Sequence, residues 1–127
     1  MNQREKAFLI NHLGPLFDVI CEDWRRIECR GTLGIPDTLL IIDKIPLFVE
    51  VKYQDRPNTI IDNLKGSQVT FLNSVPFHSF LLIGFASVNK MMLFRGGSVS
   101  FKMKSVGGEL LGIEVEPLRM RLTPPTY

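Results

Sequence analysis

The chain has 127 residues, 45% of them apolar and 22% charged, with a formal net charge of +2. Those values suit one soluble globular domain spanning 1–127. No apolar run approaches the length of a membrane span and the sequence shows no internal repeat or low-complexity stretch, while a charge of +2 neither establishes nor opposes nucleic-acid binding.

Residues 3–23 carry apolar side chains at helical spacing: Ala7, Phe8, Ile10 and Leu13, then Leu16, Phe17, Val19 and Ile20. Gly14-Pro15 interrupts the stripe, which predicts a kink or two short helices. Glu5 falls near the helix start, where a negative charge suits the helix dipole. Nothing at the start has the form of a secretory leader, so the expected compartment is a reducing cytoplasm, that of the host cell if the source is viral. Cys21 and Cys29 are accordingly read as free thiols. A zinc site built from them with His12 and His78 lacks the paired spacing such sites use. Trp24-Arg25-Arg26 leads into a short first strand at Ile27-Glu28-Cys29, followed by Arg30 and a loop ending in Gly34. Trp24 is read as a cap on the core. The three arginines are either a solvated basic turn or phosphate contacts.

The informative stretch follows. Gly34-Ile35-Pro36-Asp37 ends in an acid held by a turn, and Thr38–Ile42 is an apolar, β-rich run. Asp43-Lys44-Ile45-Pro46 supplies turn chemistry, and Phe48-Val49-Glu50-Val51-Lys52 is a second strand. Two apolar runs around a short polar break read as a hairpin. Alternation places Val49, Val51 and Tyr53 on one face and Phe48, Glu50 and Lys52 on the other. Chain reversal brings Asp37 to the end of the second strand, beside Glu50 and Lys52. Two carboxylates and an amine then meet, and carboxylate oxygens are the natural ligands of magnesium. The plain alternative is an ion pair on an exposed sheet.

After a polar loop at Gln54–Asn58, Asn58 or Thr59 is placed to cap a short helix with Ile60, Ile61 and Leu64. A second helix runs from Ser67 to about Ser74, with Gln68 in its first turn and Pro76 stopping it. Ser79–Phe85 reads as a buried strand, so residues 47–85 form a parallel crossover unit. His78 before that strand is read as structural. Met91–Phe94, Gly96-Gly97 and Val99–Met103 predict a second hairpin. Leu110–Val115 is a candidate last strand, and Leu118–Leu122 alternates in the same way. The tail at 123–127 is expected to be loose.

Asp37 followed by Glu50-Val51-Lys52, with Pro36 before the first acid, resembles the PD-(D/E)xK nuclease signature. Gly34 ahead of it and Gln68 in the following helix make the pattern similar to the VRR-NUC branch, whose members include small stand-alone viral nucleases related to Holliday junction resolvases. The resemblance covers roughly residues 5–85. It implies an α/β restriction-endonuclease-like core, a mixed central sheet flanked by helices. It also implies a metal-dependent deoxyribonuclease using Mg²⁺, or Mn²⁺ in its place, on branched DNA, working as a homodimer. Carried over residue by residue, it assigns catalysis to Asp37, Glu50, Lys52 and Gln68. It assigns metal binding to Asp37, Glu50 and the Val51 carbonyl. It offers Glu5 as a further acid, with Glu22 and Glu28 as rivals, and Arg25, Arg26 and Arg30 as nucleic-acid contacts. Gln68 is expected near Lys52, bonded to it or to a phosphate. The alternative reading is a non-catalytic DNA-binding module on the same scaffold.

Overall fold

A computed structural model describes residues 1–27 and 34–123 of the chain. A six-stranded mixed sheet runs in sequence order: β1 (Asp23–Arg26), β2 (Thr38–Ile42), β3 (Ile45–Gln54), β4 (Ser79–Phe85), β5 (Lys90–Arg95) and β6 (Glu109–Gly112). All neighbours are antiparallel except β3 and β4, which are parallel and joined by the helix α3 (Gly66–Ser74). The expected crossover unit is therefore present. The α/β architecture is the expected one, a mixed sheet with helices on both faces.

Period-two alternation along β3 explains the two layers. Val49 and Val51 turn to one face, where they pack with Leu40, Leu82 and Met91 beneath α1 (Gln3–Phe8), α2 (Gly14–Ile20) and α4 (Val115–Leu122). The opposite face carries Leu81, Ile83, Met92 and Phe94 under α3 and two long loops, which contribute Leu72, Ile61, Leu64 and Val99. Glu50 and Lys52 belong to this second face, in line with Phe48, whose ring meets Phe71 of α3 edge-on.

The β2–β3 turn is the tightest available. Asp43 and Lys44 both take positive φ, 51° and 65°, the backbone of a two-residue type I′ turn, which matches the twist of the strands it joins. Ile42 pairs with Ile45, and the register runs back without slip to Thr38 opposite Val49.

Several elements differ from expectation. The Gly14-Pro15 break is absorbed without a gap: Leu9–Leu13 forms a wider π-type turn between α1 and α2. Pro15 has no N–H to give a preceding carbonyl, and a widened turn accommodates its ring. The first strand is Asp23–Arg26, upstream of its expected place, because Trp24 pairs with Leu40 and covers Phe17 and Gly14. Glu28, Cys29 and Arg30 lie outside the described residues, as does the tail beyond Thr123. No helix forms at 59–64, because this stretch is held by the neighbouring loop: Ile60 bridges Lys104, and the Ile61 N–H donates to the Met103 carbonyl. Val99–Met103 is not a strand either. Gly96 packs so closely on Ser79 and the Leu72 carbonyl that the chain leaves the sheet there, and β6 pairs with β5 instead.

Leu118–Leu122 is helical. Leu118 and Leu122, one turn apart, are fully buried while Met120 is 67% exposed. Two-residue alternation and this four-residue spacing are indistinguishable over so short a stretch. Leu118→Ala is expected to lower unfolding stability by about 2–4 kcal/mol, as for other buried leucines. Met120→Ala is expected to change it by less than about 0.5 kcal/mol. Urea denaturation measures both, and equal losses would contradict the helical packing.

Candidate active site

The site sits where β2 stops and β3 continues. Thr38 pairs with Val49, so the next position in the register sets Asp37 opposite Glu50. Past Val49, the edge of β3 that faced β2 has no strand beside it among the described residues. The Val51 N–H points to that edge and donates to Asp37 Oδ1 at 3.4 Å, supported by the Thr38 hydroxyl at 3.1 Å. In a strand the N–H and C=O of one residue face the same edge. The Val51 carbonyl is therefore carried on the Asp37 side, where the metal assignment needs it.

Glu50 and Lys52 are almost wholly buried, at 2% and 4% exposure. Gln68, reaching from the first turn of α3, donates Nε2 to Glu50 Oε1 at 2.8 Å while its own Oε1 accepts the Lys65 N–H. The expectation that Gln68 bonds Lys52 is thus corrected: it anchors Glu50. The Lys52 ammonium donates to the Asn63 carbonyl at 2.7 Å, a contact made possible by the positive φ of Asn63. Gly34 lines the cavity as well. A Cβ there would overlap the Ser67 carbonyl, and its φ is +76°, so this glycine lets the Asp37 loop lie against the start of α3.

Glu5 enters from the other layer. It is 2% exposed and lines the same cavity of about 720 Å³ as Asp37, Glu50, Lys52 and Gln68. Both carboxylate oxygens are engaged by Asn2, through its backbone N–H and Nδ2, while Asn2 Oδ1 accepts the Glu5 N–H. The side chain that completes the cap of α1 thus also lines the cavity. Of the rivals, Glu22 is remote: it is exposed and accepts the Lys44 N–H of the hairpin turn. Arg26 lines the cavity, whereas Arg25 is turned away and paired with Asp23 at 2.6 Å. Among the described residues no three His, Cys, Asp or Glu side chains group tightly enough to hold a metal by themselves. Cys21 is a half-buried free thiol pushed up to about 12 by burial, with Asp18 and Asp23 adding.

The electrostatics are those of excess negative charge in a dry place. Burial pushes the Asp37 carboxyl up to about 6, against its hydrogen bonds from Thr38 and Val51 and the charge of Lys52. Burial pushes Glu50 to about 8, with the Asp37 and Glu5 charges adding and Lys52 opposing. Glu50 Oε2 is buried with no hydrogen-bond partner. An orphaned carboxylate oxygen facing a second acid is costly unless a cation completes it. The donor set fits a divalent ion bound by two acids and a carbonyl, with water filling the remaining positions.

No family model and no curated protein matches the sequence. Among solved structures, the chain is similar to a Holliday junction resolvase of the archaeal hyperthermophile Archaeoglobus fulgidus. The TM-score is 0.52 at 16% identity, covering 92% of this chain and 93% of that one. At that identity the likeness shows the fold. The restriction-endonuclease-like architecture expected from the sequence is therefore present.

A raised acid pKa stabilises the folded state below the unfolded value and withdraws that stability as pH climbs to the folded value. For Glu50 the window runs from 4.5 to about 8, and for Asp37 from 3.8 to about 6. The metal-free protein should therefore lose stability between pH 5 and 8.5. Glu50→Gln keeps an acceptor for Gln68 and removes the charge. It should be more stable than wild type at pH 8.5 by roughly 2–5 kcal/mol, given ~1.4 kcal/mol per pKa unit, and equal to it near pH 5. Thermal melts in chelator at both pH values check this, and parallel curves for the two proteins would contradict it.

Proposed function

We propose that the protein is a metal-dependent deoxyribonuclease that hydrolyses phosphodiester bonds in branched DNA. The observation that carries this reading is that Asp37, Glu50 and the buried Lys52 line one cavity, with Glu50 Oε2 buried and without a hydrogen-bond partner. The likeness to a Holliday junction resolvase supports the substrate class, a four-way junction or a related flap. The VRR-NUC assignment and a homodimer, which would supply two matched cuts, are part of the same proposal.

Asp37, Glu50 and the Val51 carbonyl would hold Mg²⁺, and Mn²⁺ in its place. Bound there, the ion would polarise the scissile phosphate and lower the pKa of a water. The protein's own contribution is positional. Gln68 holds Glu50 Oε1, leaving Oε2 free to accept. Thr38 and the Val51 N–H hold Asp37 Oδ1. Glu5, engaged by Asn2, would act through water or by giving up one of those bonds. Lys52 reaches the site from the same strand face as Glu50. Its ammonium would orient the attacking water or balance charge on the phosphate, exchanging the Asn63 carbonyl for substrate. Arg26 at the cavity wall, with Arg30, would add phosphate contacts; Arg25 would do so on giving up Asp23.

One observation favours a second reading, a DNA-binding module without catalysis: one N–H of the Lys52 ammonium is already engaged by the Asn63 carbonyl. The two readings separate in one experiment. Linear, flap and four-way DNA are incubated with Mg²⁺ beside Lys52→Ala. The nuclease reading predicts cleavage of branched DNA by wild type, a loss of at least 10²-fold in Lys52→Ala, the scale of a single charge-stabilising or proton-transferring group, and little change in DNA affinity. Binding without cleavage by wild type would support the module, and full activity of Lys52→Ala would remove that residue from the mechanism.

Asp37→Asn is expected to weaken Mg²⁺ binding at least tenfold in calorimetry. Unchanged affinity would contradict the metal assignment. Glu5→Ala separates the roles of the third acid: near-wild-type turnover would leave Glu28 or water in that place.

A further inference from the structure

Residues 63–108 contain no Asp or Glu, although the chain has thirteen acids. The same stretch holds Lys65, Lys90, Arg95, Lys102 and Lys104. It builds α3 and the loop after β5, the layer that covers the Glu50 and Lys52 face of the sheet. Elsewhere four arginines pair with acids: Arg4 with Asp55, Arg25 with Asp23, Arg119 with Glu116 and Arg121 with Glu109. Arg95 is directed away, stacked over Phe80 and donating to the Arg121 carbonyl. Lys65, Lys102 and Lys104 are exposed and have no carboxylate partner among the described residues. The surface of α3 between them is uncharged, with Thr70, Asn73 and Ser74 outward.

This loop is held firmly and close to the cavity. Ser105 is fully buried, and its hydroxyl accepts from Gln54 Nε2 at 2.7 Å and donates to the Thr59 carbonyl. Gln54 lies on β3, two residues beyond Lys52 on the same face. Ile60 bridges Lys104, and Asn63, which receives the Lys52 ammonium, is three residues from Ile60. That places Lys104 within roughly 15 Å of the catalytic lysine's partner, from ~3.3 Å per residue and ~5 Å across a bridge. Asn73 ties the loop to α3 through the Val99 carbonyl and the Gly97 N–H. At its tip Phe101 is 56% exposed, with the Lys102 ammonium 5.5 Å from its ring centroid, and Lys102 itself takes a positive φ of 60°.

An exposed aromatic ring beside cations, on an anchored loop that itself carries no acid, is what single-stranded nucleic acid binds: the ring stacks a base and the ammonium groups take the flanking phosphates. We propose that Phe101, Lys102 and Lys104 form a docking strip for an unpaired strand leaving the cavity through the Lys65 side. This rests on the nucleic-acid reading above and adds to it. Duplex arms would be held at the cavity, and the strip would select substrates with an unpaired strand next to the branch.

The test is equilibrium binding in EDTA, so that catalysis plays no part. Fluorescent blunt duplex and the same duplex with a single-stranded tail are titrated against wild type, Phe101→Ala and the Lys102→Ala/Lys104→Ala double variant, across a salt series. The strip predicts that Phe101→Ala weakens binding of the tailed DNA about tenfold and leaves the blunt duplex within twofold. The double variant should reduce the salt slope for tailed DNA by about 1.4, at ~0.7 per phosphate contact on a single strand, with an unchanged slope for the duplex. Equal losses on both DNAs, or no loss on either, overturn the strip while leaving the nuclease reading intact. Failure of wild type to bind any DNA at low salt overturns both.

Discussion

The molecule depends on the registration of one hairpin. Asp43 and Lys44 close β2 onto β3 with the fewest residues a hairpin allows, and from that turn the pairing runs to Thr38 and Val49 without a bulge. Because side chains alternate, a slip by one residue would send Glu50 and Lys52 into the apolar layer under α1 and bring Val51 to the cavity. The two faces of β3 differ so strongly in polarity that such a slip is penalised along the whole strand. The core therefore specifies the site: Val49 and Val51 fix which way their acidic neighbour must point.

Around this pairing the structure concentrates polar groups where a stable fold would avoid them. Glu5, Glu50, Lys52 and Gln54 are all buried, and Glu50 keeps an acceptor oxygen with nothing to accept. Each is held by a short, specific contact from a different element: Asn2 from the amino terminus, Gln68 from α3, Asn63 and Thr59 from the loop between. Burial raises both Asp37 and Glu50 toward neutral pH, with the Asp37 charge adding to the rise at Glu50, so the site as it stands disfavours the charge it is built to present. Such an arrangement costs stability, and a bound cation is the natural compensation.

The sequence showed the hairpin, the crossover and the central triad because those features are local. Turn residues, strand alternation and an apolar run bounded by Pro76 are all readable within a dozen positions. What it did not show depends on contacts distant along the chain. Gln68 selects Glu50 over Lys52 because α3 packs against the Asp37 loop at Gly34, a closeness no spacing reveals. Residues 59–64 had the composition of a capped helix, yet Ile60 and Ile61 pair with Lys104 and Met103 and a turn follows at Asp62-Asn63. Leu118 and Leu122 looked like a strand until their common burial against the helical layer was seen. Arg25 and Arg26 were indistinguishable as neighbours, and only the pleat of β1 separates the one at the cavity from the one bound to Asp23. The absence of acids from 63–108 was visible in the sequence, but it gains meaning once those residues are seen to share a layer.

The central claim is that Asp37 and Glu50 face each other in a buried pocket that a divalent cation completes. Carboxyl ¹³C NMR titration of the selectively labelled protein tests it most directly. The account predicts a Glu50 midpoint near 8 in chelator, falling in Asp37→Asn and falling again when Mg²⁺ is added to wild type. A Glu50 carboxyl that titrates near its ordinary value of 4.5, unmoved by either change, would contradict it.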